Sequence, residues 1–115
     1  MKDDYPLYIT WRYIVEYLLD ICGKYPKSVR FNLCDRMTNL SLDVLELIIE
    51  AIYAKQKSHI LRKVNLYMEK LRAMIQISVS RKYISVSQYE YISGKINEAG
   101  KMAGGWLRSC GGSDT

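Results

Sequence analysis

Apolar residues recur at helical spacing in four stretches of the chain, and no stretch shows the sustained alternation of a β-strand. Pro6 and Pro26 stand where the first two helices are expected to begin, and Gly23 is placed to end the first. Ser58 is a candidate N-cap for the third helix, and a capping box at residues 87–90 precedes the fourth. The predicted helices cover residues 7–22, 26–55, 59–82 and from the capping box through 107.

Four helices joined by short loops predict an all-α fold, specifically an antiparallel up-down four-helix bundle. A chain of 115 residues is expected to form one domain, here 1–108, followed by a disordered tail at 109–115. Helical spacing also predicts which side chains form the core. These are Trp11, Val15, Leu18 and Cys22; Leu33, Met37, Leu40, Val44, Leu47, Ile48 and Ala51; Val64, Tyr67, Leu71, Ile75 and Ser78; and Tyr89, Ile92, Ile96, Ala99, Ala103 and Trp106.

The second and third helices carry apolar residues on another side, away from the predicted core stripe. A small bundle cannot bury two faces of one helix unaided, and a contiguous exposed apolar patch usually marks a protein interface. The pattern favours a homo-oligomer over an irregular bundle that wraps the second helix on both sides. Glycines of the fourth helix, Gly100 among them, fit a close helix crossing within the bundle or contact with a neighbouring subunit. The predicted interface residues are Phe31, Leu42, Leu45, Ile49, Ile52, Leu66, Ala73, Ile77, Gly104 and Gly105.

The net charge of +5 is concentrated in one part of the chain: residues 54–82 contain eight basic residues and one acidic residue. Such a locally basic element is typical of a protein with a polyanionic partner, and a solvated basic face is the alternative. A stripe of about 35 Å along the third helix can follow a phosphate backbone by charge and shape, with little base reading. The predicted nucleic-acid contacts are Lys55, Lys57, Arg62, Lys63, Lys70, Arg72, Arg81 and Lys82, with Lys24, Lys27 and Arg30 as a second set.

No group of residues has the spacing of a catalytic or metal site. Cys22, Cys34 and Cys110 are an odd number without a close pair, which argues against a disulfide framework and against zinc. The single histidine, His59, lacks partners, and the carboxylates at 43–50 are typical of a solvated helix face. We therefore expect a protein that is not an enzyme and has no cofactor. The absence of a long apolar run and of a signal peptide predicts a cytoplasmic protein without a membrane partner.

Three segments carry a resemblance to a known family: YPKSVRFNLCDRMTNLSLDVLELIIEAIYA, the basic third helix, and the closing GKMAGGWL. Over about residues 7–108 the chain resembles the accessory variability determinant (Avd) family of diversity-generating retroelements. Its most specific pieces are the Tyr-Pro-Lys entry at 25–27, the run at 42–46 and the Gly-Gly-Trp at 104–106. The related four-helix proteins encoded in rRNA intervening sequences have an Asn-Ile-Ala-Glu-Gly segment late in helix two, which is absent here.

The resemblance implies a pentameric barrel of four-helix subunits with a basic surface. It also implies binding to the retroelement's reverse transcriptase and to nucleic acid, particularly the template-repeat RNA, during the mutagenic copying that diversifies a target gene. The alternatives are a protein of the rRNA intervening-sequence type and an oligomeric scaffold whose basic face is only solvated.

Overall fold

Four long helices make up most of the described chain, which in this computed structural model comprises residues 1–111. No strand occurs among these residues, so the all-helical fold with four helices is confirmed. Each helix packs against the next, and the first also packs against the fourth, in a body of 42 × 24 × 21 Å. The helices are α1 (Pro6–Cys22), α2 (Asp35–Tyr53), α3 (Ser58–Ser80) and α4 (Val86–Ser109).

The core lies between the four helices, largely at the positions that helical spacing predicts. Trp11 is fully buried, and its indole N–H donates a hydrogen bond of 2.8 Å to the Ser41 carbonyl, which ties α1 to α2. The predicted core residues that are buried are Trp11, Val15, Leu18, Cys22, Met37, Val44, Ile48, Ala51, Val64, Leu71, Ile75, Ser78, Ile92, Ile96, Ala99 and Ala103. Those that are only half-buried are Leu33, Leu40, Leu47, Tyr67, Tyr89 and Trp106.

The segment that leads into α2 differs from the continuous helix predicted from residue 26. A 3-10 turn at Lys27–Val29 is followed by a π-helical turn at Arg30–Cys34, and α2 begins only at Asp35. Val29 departs from helical geometry, with φ −114° and ψ 5°, which interrupts the α-helical ladder. Because of this irregular turn, side chains 30–34 lie on other sides of the segment than they would in a continuous α-helix.

The starts of α3 and α4 also differ from the prediction. The capping box uses Ser85, not Ser87: the Ser85 hydroxyl accepts from the Gln88 N–H at 3.1 Å, and the Gln88 side chain accepts from the Ser85 N–H at 2.8 Å. The sequence contains two overlapping Ser-x-x-Gln/Glu patterns, and the earlier one forms the cap. The N-cap of α3 is Lys57 rather than Ser58, and it has no side-chain cap bond.

Within the predicted interface set, some residues are buried, some half-buried and some exposed. Ile52 is buried at 6% exposure, so its place in that set is wrong: its helical phase turns it towards the core beside Ile48. Leu45 and Ile49 are half-buried and pack against the core. The exposed members are Phe31 at 89%, Leu66 at 54%, Ile77 at 50% and Leu42 at 39%, together with Ala73.

The glycines of α4 do not mark a close crossing of helices within this chain. A Cβ atom at Gly100 would lie 3.2 Å from a guanidinium nitrogen of Arg72, and at Gly104 3.5 Å from one of Arg108. At Gly105 the nearest atom also belongs to Arg108, at 3.8 Å. Arginine side chains, not another backbone, therefore lie over these positions, and the idea of a crossing inside the bundle is wrong.

The structure also bears on the predicted C-terminal tail and on the predicted absence of a membrane span. Of the predicted tail, Ser109 is still helical, and residues 112–115 lie outside the described part. None of the helices within residues 1–111 combines the length and the apolar character that a bilayer crossing requires.

Candidate nucleic-acid interface

The structure distributes the predicted basic residues over four places on the bundle instead of one stripe. One group gathers at the turns that follow α1 and α3. Two further groups lie on α3, each with one member in the wall of a groove beside that helix, and the last lies at the junction between α2 and α3. In this order, the groups are Lys24, Lys27, Arg30, Arg81 and Lys82; Lys63 and Lys70; Arg62 and Arg72; and Lys55 and Lys57.

The first group forms the densest positive surface, which we call the basic end. Its two turns adjoin, because the rings of Tyr25 and Tyr83 lie 5.5 Å apart. Tyr25 is buried at 1% exposure, and this burial raises the pKa of its phenol to about 12. The anchored ring fixes the turns beside each other. The basic end comprises Lys24, Lys27, Arg30, Arg81 and Lys82, of which all but the half-buried Arg30 are exposed.

Two arginines of the basic end also hold its turns in place. Arg30 donates hydrogen bonds to the carbonyls of Gly23 at 3.1 Å and Tyr25 at 3.3 Å, which satisfies carbonyls just beyond the end of α1. Arg81 donates to the Tyr83 hydroxyl at 3.5 Å, and this bond raises the pKa of the Arg81 guanidinium. The basic end is therefore built on fixed turns, and its lysine side chains face solvent.

Lys82 has the only positive φ among the non-glycine residues of the described chain, at 63°. This left-handed conformation reverses the chain direction after α3, and it costs a residue with a Cβ roughly 1 kcal/mol or more. The turn accordingly carries local strain while it presents an ammonium group at the basic end.

The groove between α2 and α3 has mixed charge. It has a volume of about 270 Å³, and Arg36, Asp43 and Lys70 all line it, with the Lys70 ammonium 5.1 Å from the centre of the Tyr67 ring. Asp43 belongs to the acidic side of α2, while Lys63 shares the Lys70 side of α3 by helical phase. The Asp43 carboxylate lowers the positive potential that a phosphate would meet beside Lys70 in this groove.

The groove between α3 and α4 is larger, at about 500 Å³, and is built around Arg72. One terminal nitrogen of Arg72 donates to the Glu69 carboxylate, and the other donates to the Asn97 side-chain oxygen at 3.1 Å. Gly100 leaves the room that this guanidinium occupies, as the 3.2 Å approach to its missing Cβ shows. Arg72 is thus held by neighbours on α3 and α4 rather than extended into solvent, and Arg62 is half-buried on the same helix.

Lys57 has a structural contact that the sequence did not reveal. Its ammonium donates to the carbonyls of Ala51 at 2.6 Å, Ile52 at 3.2 Å and Ala54 at 2.6 Å, which are exposed by the end of α2. Cations are favoured at helix C-termini because unpaired carbonyls concentrate negative potential there. Lys57 therefore caps α2, in contrast to the outward role predicted for it, whereas Lys55 is exposed.

Sequence reasoning missed two basic residues that line the grooves, Arg36 and Lys101. Helical phase was the available signal: Arg36 precedes Asn39 and Asp43 on one side of α2, and Lys101 follows Asn97 by one turn of α4.

Cys22 and Cys34, which are twelve residues apart in the sequence, lie close together in the fold. Both are buried free thiols, and the Cys34 thiol donates to the Cys22 carbonyl at 3.8 Å. Burial raises the pKa of Cys22 to about 12 and also raises that of Cys34. Within residues 1–111, no three His, Cys, Asp or Glu side chains gather as a metal site requires.

Comparison with curated proteins finds no match to this chain. A family model described as bAvd-like matches residues 9–110, which is nearly the whole described chain. The matched region includes α1 from residue 9 onward, the other three helices in full, the basic end and both grooves. It also includes the Tyr-Pro-Lys entry and the Gly-Gly-Trp segment on which the resemblance to the accessory variability determinant family depends. The chain therefore belongs to the bAvd-like family.

Proposed function

We propose that this chain is a non-catalytic, cytoplasmic accessory protein of a diversity-generating retroelement. It binds the reverse transcriptase and the template RNA, and mutagenic reverse transcription requires it. Membership of the bAvd-like family supports the general role. The observation that carries the nucleic-acid part is the basic end, where five cationic side chains from two turns lie together on a fixed frame.

The basic end is suited to phosphate because its charges are not neutralised nearby. The ion pairs found within residues 1–111 join Arg12 to Glu16, Arg72 to Glu69 and Lys95 to Glu98, so none of them involves the basic end. Exposed lysines that neutralise phosphates release counterions, which gives affinity that falls steeply with salt. Binding of this kind positions an RNA by charge without chemical change to it.

The proposal includes an antiparallel bundle that assembles with copies of itself, as a pentameric barrel. Tyr5 before α1 contacts Trp106 late in α4 with ring centres 5.2 Å apart, and Tyr17 contacts Tyr91 at 4.9 Å; these pairs support opposite directions for α1 and α4. Phe31 is 89% exposed, and together with Leu42, Leu66, Ala73 and Ile77 it supports self-association, because solvent exposure of such side chains is unfavourable.

One pair of experiments tests this function. The purified chain is titrated against its template RNA in a filter-binding assay at several KCl concentrations, and it is co-expressed with the retroelement's reverse transcriptase. We expect that the affinity for RNA falls steeply as the salt concentration rises. We also expect that the reverse transcriptase co-purifies with the chain. The proposal is contradicted if the chain does not bind RNA even at low salt and the reverse transcriptase does not co-purify with it.

A second candidate is an oligomeric scaffold without a nucleic-acid role. The mixed charge of the α2–α3 groove favours it, since Asp43 lies in the same groove as Lys70 and Arg36. The salt titration separates the two, because a scaffold shows almost no RNA binding at any salt concentration. The scaffold is supported if the chain sediments as an oligomer and its sedimentation does not change when RNA is added.

A further inference from the structure

The α3–α4 groove contains polar chemistry that phosphate binding does not explain. It is lined by Asn65, Glu69, Asn97 and Lys101 around Arg72, with Met68 and Gly100 also in its wall. A site for phosphate alone does not gain from a carboxylate in its wall, because that carboxylate repels the ligand. The mixture of amide, carboxylate and cationic groups instead suits a ligand that presents both donors and acceptors. The edge of an unstacked nucleobase is such a ligand, and RNA-binding proteins read it with these side-chain types.

The hydrogen bonds of Arg72 determine what its neighbours can still offer. A guanidinium has only donors, so the Asn97 oxygen must face it, and the Asn97 NH₂ group then remains to donate. Likewise one Glu69 oxygen accepts from Arg72, and the other oxygen remains to accept. The groove therefore presents an acceptor and a donor on a frame that Arg72 holds together across α3 and α4.

We propose that this groove is a slot for a single guanine of a bound RNA. The Watson–Crick edge of guanine has adjacent N1–H and N2–H donors, and the free Glu69 oxygen can accept from both because a carboxylate oxygen has two lone pairs. The same edge has an O6 acceptor, to which the Asn97 NH₂ donates. Adenine and uracil lack two adjacent donors on this edge. Lys101 is exposed on the rim of the groove, where it meets the flanking phosphate. This inference rests on the proposed RNA-binding function and adds a base preference to it.

Gly100 accounts for the open floor of the slot. A Cβ atom at this position would lie 3.2 Å from the Arg72 guanidinium, which would have to give way by a few tenths of an ångström. The helix therefore has a glycine where alanine is ordinarily favoured by about 1 kcal/mol.

The test compares fluorescein-labelled RNA octamers by anisotropy: octauridylate and the same octamer with one central guanosine. The native chain should bind the guanosine octamer about tenfold more tightly, the size of one well-made base contact. Glu69→Gln and Asn97→Ala should abolish this preference. Glu90→Gln is the matched control, because it removes an exposed carboxylate from α4 outside the groove and should keep the preference.

The outcomes separate the slot from the proposed function. If both octamers bind equally to the native chain, or if Glu69→Gln keeps the preference, the slot is refuted and RNA binding stands. If neither octamer binds, the proposed function fails, and guanosine monophosphate is titrated against the ¹⁵N-labelled chain. A shift of the Gly100 amide signal with that nucleotide but not with uridine monophosphate supports the slot, and the absence of a shift overturns it. Circular dichroism confirms that each variant is folded.

Discussion

Removing two charges from the basic end should weaken RNA binding by a calculable amount. Lys24 and Lys27 are exposed and lie outside the four long helices, so Lys24→Ala/Lys27→Ala removes charge with little effect on packing. Each phosphate neutralised on single-stranded RNA contributes about −0.7 to the slope of log affinity against log salt. Five cations at the basic end therefore give a slope of about −3.5, and three give about −2.1.

These slopes determine the expected loss of affinity. At 0.1 M salt the double variant should bind single-stranded RNA about 25-fold more weakly, because two contacts worth −0.7 each are lost over one decade below 1 M. Raising the salt from 0.05 to 0.2 M should weaken the native chain about 130-fold and the variant about 18-fold. Filter binding at four or five KCl concentrations measures both quantities.

The control variant removes two lysines from the rest of the chain. Lys2→Ala/Lys55→Ala takes away the same charge from exposed positions beyond the basic end. RNA binding at the basic end is refuted if the control loses as much affinity as Lys24→Ala/Lys27→Ala. It is also refuted if the salt dependence of Lys24→Ala/Lys27→Ala has the same slope as that of the native chain. Equal urea midpoints for the three proteins exclude an effect through folding.

Four further predictions concern stability and the thiols. Lys82→Gly removes the left-handed strain at φ 63° and should raise the free energy of unfolding by about 1 kcal/mol in urea titration. A lower free energy of unfolding in this variant would show that Lys82 is not strained. Lys57→Met leaves three helix-end carbonyls without their donor and should cost about 2 kcal/mol, whereas Lys55→Met should change the unfolding free energy by less than about 0.5 kcal/mol; equal effects of the two refute the capping role. At pH 8 a disulfide reagent should modify only the exposed Cys110 in the folded chain. Because burial raises the pKa of Cys22 to about 12 from about 8.5 in the unfolded chain, its contribution to stability is complete below pH 8.5 and should be lost as the pH rises to 12.

Helical periodicity predicted the four helices and most of the core, because burial repeats with the turn of a helix. Trp11 and Leu71 illustrate this, since each lies at the centre of its apolar stripe and is fully buried. Periodicity does not decide between competing local signals. The cap at Ser85 and the π-helical turn before α2 depend on how neighbouring segments pack, so their positions were not predictable.

The sequence located the basic residues but not their surroundings. The proximity of Arg81 to the turn after α1 was predictable from the order of helices in a bundle, and the Tyr25–Tyr83 contact is consistent with it. The capping by Lys57 and the bonds of Arg72 were not predictable, because they depend on distances between separate elements. Counting charges along the chain therefore overstated the α3 stripe, parts of which lie beside acidic or amide side chains.

Hydrogen–deuterium exchange with and without template RNA tests the central claim most directly, because it locates the contact on the folded chain. The account predicts that RNA slows exchange at residues 23–30 and 81–85, the two turns of the basic end, at low salt. At high salt this protection should disappear. Protection confined to the acidic side of α2, or exchange that RNA leaves unchanged throughout the chain, would contradict it.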